Sequence, residues 1–193
     1  MFNTADMLKI FAKHRGDAIV VSGRGGKHWI NVSDTALDIP LGDPAMGGHC
    51  GFAFGLAMAL PHRKVVLFDS EGDLQMSLGI LISVAEQKPE NFYHFVLDNE
   101  CYATTGGQPV PNAKNVKYDQ LALGAGYPRA FAFDELGALE KALPEILGGK
   151  GPVFCTMKVH PEVENEAIGN RKKWRKRSQV QVVADLKKEL KIA

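Results

Sequence analysis

Apolar positions along the chain change period at regular intervals, and each change marks a predicted element. Met7, Leu8 and Phe11 share one helical face after Thr4, a residue suited to capping, and that helix runs out at Gly16. Residues 18–21, Ala-Ile-Val-Val, form the short continuous apolar run of a buried strand. A helix rich in small residues is predicted over 47–60 and stopped by Pro61, then a strand over 64–69, a helix over 74–87 and a strand over 92–98. A polar loop over 99–112 leads to a short helix at 118–124, a strand at 129–133, a helix starting at Asp134 and a strand at 153–159. At least five short strands, β-branched or aromatic, thus alternate with helices. That alternation predicts an α/β fold: a single doubly wound, mostly parallel sheet with helices on both faces. Ligands of such sheets bind beyond the carboxyl ends of the strands, which directs attention to residues 22–27, 70–74 and 99–108.

With 193 residues there is room for one ordinary domain, expected over 1–162, followed by a basic C-terminal helical arm over 163–193. The arm carries an amphipathic helix over roughly 180–190. An apolar share of 45% with 23% charged residues excludes disorder as the main theme. The longest uncharged apolar stretch, 51–60, is half a membrane span, and Asp6, Lys9, Lys13 and His14 interrupt any signal-like run. A cytoplasmic protein without membrane contact is expected. Cys50, Cys101 and Cys155 lie about fifty residues apart, which fits neither a disulfide framework nor a zinc site. Net charge is +1, yet six of the 23 basic residues fall within 171–177, leaving 17 against 22 acids in the rest of the chain. With Trp174 inside it, this run could be a nucleic-acid patch. A solvated face or a docking surface for an acidic partner is favoured, because no nucleic-acid fold accompanies it.

Gly23-Arg24-Gly25-Gly26-Lys27 has neither GxxxxGK[ST] nor GxGxxG spacing, and reads as a loop that needs positive φ at one or more of its glycines. Arg24, Lys27, His28 and His49 are candidates for holding an anionic substrate or a diphosphate, against the plainer reading of surface or satisfied side chains. More is offered where two successive strands end, in Ser70-Glu71-Gly72-Asp73 and in Asp98-Asn99-Glu100. If those strands are neighbours, Glu71 and Asn99 converge as a carboxylate and an amide oxygen, with Gly72 allowing close backbone approach. Mg²⁺ suits such a pair; solvated turn residues are the alternative.

Strand, glycine-bearing acidic turn, helix, strand and Asp98-Asn99 together resemble the diphosphate-binding (PP) domain of thiamine-diphosphate enzymes. The likeness is closest to the β subunit or C-terminal half of sulfopyruvate and phosphonopyruvate decarboxylases. It runs through Ala45-Met46-Gly47, Gly55-Leu56-Ala57-Met58-Ala59-Leu60-Pro61, Lys88-Pro89-Glu90-Asn91, Leu97-Asp98-Asn99-Glu100 and Thr105-Gly106-Gly107-Gln108-Pro109, covering roughly residues 5–160. The resemblance implies that Met46 wedges between the two rings of thiamine diphosphate while Ala45 and Gly47 grip its pyrimidine. It further implies that Glu71, the Asn99 side chain and the Cys101 carbonyl hold Mg²⁺. Backbone N–H groups of Gly72 and Asp73 would meet the diphosphate, Tyr102 joins the cofactor-binding set, and the loop over 100–108 lines the substrate side. Two departures stand out: Glu71 replaces the family's Asp and Ser70 its first Gly. Asp73 also sets a carboxylate near the diphosphate, where like charges within about 5 Å repel.

The glutamate that activates this cofactor belongs to a separate pyrimidine-binding (PYR) domain, for which 193 residues leave no room. It is expected on a partner chain, and His49 is the one catalytic candidate here. The resemblance therefore implies the thiamine-diphosphate subunit of a two-subunit carboxy-lyase for a small anionic 2-oxoacid, inactive or nearly so without its partner. The alternatives are a degenerate, non-catalytic PP-domain scaffold or regulatory subunit, and an acyl-transferring synthase subunit on the same cofactor.

Overall fold

The computed structural model describes residues 1–42, 46–167, 170 and 174–192. Six strands, β1 (Ile19–Ser22), β2 (Asp38–Pro40), β3 (Val65–Ser70), β4 (Phe92–Asp98), β7 (Arg129–Phe133) and β8 (Val153–Lys158), make one sheet in the order β2-β1-β3-β4-β8-β7. Every pairing in it is parallel. Side chains alternate across the sheet as a period of two demands. Val66 and Phe68 of β3 face α1 (Thr4–Ala12) and α6 (Leu136–Gly148), with Trp29 between. Val65 and Leu67 face the other layer, made by α2 (His49–Ala59), α4 (Ile80–Gln87), α5 (Tyr118–Ala125) and α7 (Gln179–Glu189). The doubly wound α/β sheet expected from the alternation is therefore present. Among the described residues no helix is long and apolar enough to cross a membrane.

Several local expectations change. Asn3, not Thr4, caps α1: its Oδ1 accepts from the N–H groups of Ala5 at 2.8 Å and Asp6 at 3.2 Å. The three-residue edge strand β2 gives little β signal, being Asp-Ile-Pro, and exists because buried Asp38 binds Trp29 Nε1 at 2.7 Å and Arg15 at 2.9 Å. The single helix expected over 74–87 is two, α3 (Glu71–Met76) and α4, parted at residues 77–79. Gly47, at φ +80°, packs into that break, where a Cβ would meet Ser77 Oγ at 2.7 Å. The loop over 99–112 contains a small antiparallel ladder, β5 (Cys101–Tyr102) with β6 (Gln108–Pro109). The glycines at 23, 25 and 26 do not take positive φ. They are needed for close approach instead, since a Cβ on Gly26 would stand 2.7 Å from Phe68 Cβ.

The C-terminal arm packs on the body. Val182 is buried in the α2 layer with Leu186 and Leu190 against it. Arg177 pairs with Asp34 and Asp185, each at 3.0 Å, and donates to the carbonyls of Thr35 at 2.8 Å and Asp38 at 3.0 Å. This member of the basic run is thus used internally rather than offered to a partner; Arg171, Lys172 and Lys173 lie outside the described residues.

Candidate functional site

Chain order reverses between β1 and β3, since β1 leads outward to β2 whereas β3 leads to β4 on the other side. The carboxyl ends of strands diverge at such a reversal and leave a crevice. A cavity of about 450 Å³ opens there, lined by the segments that follow β1, β3 and β4, by Met46 and His49, and by the turn at 103–105.

β3 and β4 pair through Ser70 and Leu97, so Glu71 and Asn99 emerge close together. The Cys101 N–H donates both to Glu71 Oε1 at 3.1 Å and to Asn99 Oδ1 at 3.0 Å. Glu71 is fully buried and its Oε2 has no hydrogen-bond partner. Burial, helped by the charge of Asp98, pushes its carboxyl from 4.5 up to about 8, although backbone hydrogen bonds from its own segment, Asn99 and Cys101 pull the other way. A buried carboxylate oxygen in this state needs a proton or a cation. The donor set, all hard oxygen, fits Mg²⁺ chemically, and the extra methylene of Glu71 does not carry its carboxylate away from Asn99.

Asp73 does not confront the cavity with an open charge. Its carboxylate turns to the start of α2, accepting from the Gly47 N–H at 2.8 Å and the His49 N–H at 3.4 Å, and lies 2.7 Å from His49 Nδ1. Burial alone would raise its pKa, but the hydrogen bond and charge of His49 outweigh that and lower it. The repulsion expected between Asp73 and a diphosphate is thereby compensated inside the protein. Burial alone would lower the pKa of His49; the hydrogen bond and charge of Asp73, the charge of Asp69 and the Gly42 carbonyl reverse this and raise it to about 9. His49 is then a cation at neutral pH, its Nε2 donating to Gly42 O at 2.8 Å, with no lone pair left to take a proton. Through Asp73 it clamps the start of α2 to α3.

Met46 stands at the cavity lip, 76% exposed, while Ala45 lies outside the described residues. The Tyr102 ring covers Gly72, where a Cβ would meet it at 2.8 Å. Arg24 and Lys27 line the cavity, but Lys27 and the neighbouring His28 are engaged by Glu162 and Glu164. Sequence reasoning missed those two acids and also a buried pair beneath the site: His94 Nε2 lies 3.0 Å from Asp69 Oδ2, and Asp69 Oδ1 accepts from the Ser70 N–H at 2.9 Å. A lone histidine within the apolar run Phe-Tyr-His-Phe-Val-Leu was the available signal for it. Polar atoms of His49, Asp69 and Asp73 come within 4.8 Å of one another, yet each acid already has a histidine.

Fold and site define a class: a parallel α/β domain whose switch-point cavity is rimmed by a buried carboxylate, Glu71, and the amide oxygen of Asn99. Residues 21–157, more than half the chain, match the family of the thiamine pyrophosphate enzyme C-terminal TPP binding domain, and the chain belongs to that family. It is 31% identical over 159 residues to phosphonopyruvate decarboxylase of Streptomyces viridochromogenes, covering 81% of this chain and 39% of that one. It is 34% identical over 117 residues to the sulfopyruvate decarboxylase β subunit of Methanothermobacter thermautotrophicus, covering 61% of this chain and 60% of that one. An X-ray structure assigned to a thiamin diphosphate-dependent enzyme of Mycobacterium smegmatis superposes on 83% of this chain and 32% of its own, with a TM-score of 0.70 and 20% identity, a likeness of fold.

Proposed function

We propose that the chain is the cofactor-binding part of a thiamine-diphosphate decarboxylase for a short anionic 2-oxoacid, completed by a PYR-type chain or segment outside these 193 residues. The observation that carries this reading is Glu71, a buried carboxylate with an unpartnered oxygen set beside Asn99 at the rim of the sheet. Glu71, Asn99 and the Cys101 carbonyl would hold Mg²⁺. The first-turn N–H groups of Gly72 and Asp73, which have no partners within α3, would receive diphosphate oxygens. Met46 would support the cofactor between its rings. When bound, the cofactor supplies the electron sink that lets carbon dioxide leave. The chain's own part is to bind and orient: Glu71 gives up the proton it otherwise keeps, the Asp73–His49 pair fixes the Gly47 backbone, and Tyr102 closes one wall against water.

An apolar face supports completion by another polypeptide. On α2, Gly51, Phe52, Gly55, Met58 and Ala59 are exposed without a charge among them, continuing toward Met46 and Met76 at the cavity. Titrating thiamine diphosphate with and without Mg²⁺, on the chain alone and on the chain mixed with a co-purifying PYR-domain protein, tests the proposal. Metal-dependent binding, with aldehyde formed only in the mixture, is expected. No binding under either condition would overturn it and leave the scaffold reading.

A further inference from the structure

We propose that Lys27 and His28 form the subsite for the substrate's second acid group, and that Glu162 and Glu164 fill this subsite as internal stand-ins until substrate displaces them. The choice of substrate class rests on the function proposed above; the anion exchange does not. Lys27 Nζ lies 2.6 Å from Glu164 Oε1 and 3.8 Å from Glu162 Oε2, and His28 Nε2 lies 2.5 Å from Glu162 Oε2. Two carboxylates thus meet one ammonium and one imidazole at the edge of the cavity that also contains Ser70, Asn99 and Cys101. Lys27 and Glu162 are themselves part of its lining. A three-oxygen acid group would meet Lys27 from the cavity side, and His28, which is outside that lining, once Glu162 leaves it.

The acids arrive on a strap, residues 160–165, that follows β8. The strap is tied by the His160 N–H to Phe2 O at 3.0 Å and by the Glu164 N–H to Ala103 O at 2.8 Å, with Val163 lying on Gly107. Neither hydrophobic cluster includes a described residue of the strap, so shifting its side chains uncovers no core. The four paired side chains are 21% to 39% exposed. Shielding of that degree makes the ion pairs firmer than open surface pairs, yet leaves them within reach of a competing anion. Exchange also discriminates. A sulfonate brings one negative charge and a phosphonate up to two, enough to replace at least one of the two carboxylates, whereas a 2-oxoacid with an uncharged tail leaves Lys27 to the glutamates. Substrates without a second anion are thereby excluded at the entrance.

The experiment is calorimetric titration of the full chain with 3-sulfopropanoate, with 3-phosphonopropanoate as a second arm and propanoate as control. The double substitution Glu162→Gln/Glu164→Gln is expected to tighten binding of the doubly anionic probes by about tenfold, the order for removing a shielded competing ion pair, and Lys27→Met to weaken it by as much. The tighter of the two probes identifies the acid group. Equal affinity in parent and double variant, or no binding of either probe, would overturn the subsite. Retention of thiamine diphosphate with Mg²⁺ is measured on the same samples. Its loss with anion exchange intact would count against the proposed cofactor role alone, and its survival without exchange against the subsite alone.

Discussion

Glu71 keeps a proton in the folded chain that the unfolded chain releases near 4.5, because burial and Asp98 raise its carboxyl to about 8. Between those values folding takes up a proton, so this group makes stability fall as pH rises and then level off above 8. Glu71→Gln removes the buried acid. The variant is expected to raise the unfolding free energy of the free chain at pH 8, read by urea titration, by up to roughly 3 to 5 kcal/mol if the whole shift is expressed, with little change at pH 4.5. It is also expected to abolish Mg²⁺-dependent cofactor retention; unchanged retention would remove Glu71 from the metal site. His49 has the same sign in a higher window. Its raised pKa makes its contribution complete below 6.5 and lost as pH climbs through about 9. His49→Gln should flatten that decline by about 3 kcal/mol, read from urea midpoints at pH 6 and pH 9. Glu71 and Asn99 were legible because each follows directly on a strand of strong apolar pattern. The partner of Asp73 was not, since it depends on how residues 46–49 return across the rim, a contact that no local pattern encodes.

At the scale of elements, β4 and β7 occupy the residues their patterns predict, β4 as a continuous, mostly apolar run and β7 as an alternation of Phe with Ala, each bounded by turn residues. The break between α3 and α4 was hidden, as Ser77, Leu78 and Gly79 are all tolerated in a helix and only the packing of Gly47 against Ser77 selects the break. Glycines of two kinds follow from the packing, and they make opposite predictions. On α2, a Cβ at Gly55 meets nothing within 4 Å, so Gly55→Ala should stabilise the free chain by about 0.5 to 1 kcal/mol through lower backbone entropy in the unfolded state. At Gly26 the added methyl would stand 2.7 Å from Phe68 Cβ in the middle of the aromatic core, and Gly26→Ala should cost about 1 to 3 kcal/mol. Thermal unfolding of the two variants checks both signs in one experiment, and equal shifts would refute the division. That a helix surface facing solvent keeps glycine, at an entropic cost, fits a face meant for close contact with another chain.

In the whole molecule the arm closes the weakest part of the sheet. β2 is three residues long and would be an open edge, since among the described residues no strand pairs beyond it. The arm supplies α7 over that end, and Arg177 joins three parts of the chain, reaching Asp34, the carbonyls of Thr35 and Asp38, and Asp185 within α7 itself. Gln179 adds a hydrogen bond to Pro40 O at 3.1 Å. Because β1 lies between β2 and β3, loosening of this edge reaches the loop at 23–26 and so the cavity wall. Arg177→Met keeps much of the aliphatic bulk while removing the four contacts made by the guanidinium, leaving Asp185 with Gln181, Asp34 with Lys176 and the Thr35 carbonyl with the Asp38 N–H alone. A cost of about 1 to 3 kcal/mol is expected, with faster amide exchange in β1, β2 and α7 and unchanged exchange in β7 and β8 on the far side. Slowed exchange, or acceleration spread evenly over all six strands, would show that the basic arm is held by its apolar side alone and that Arg177 is available to a partner after all.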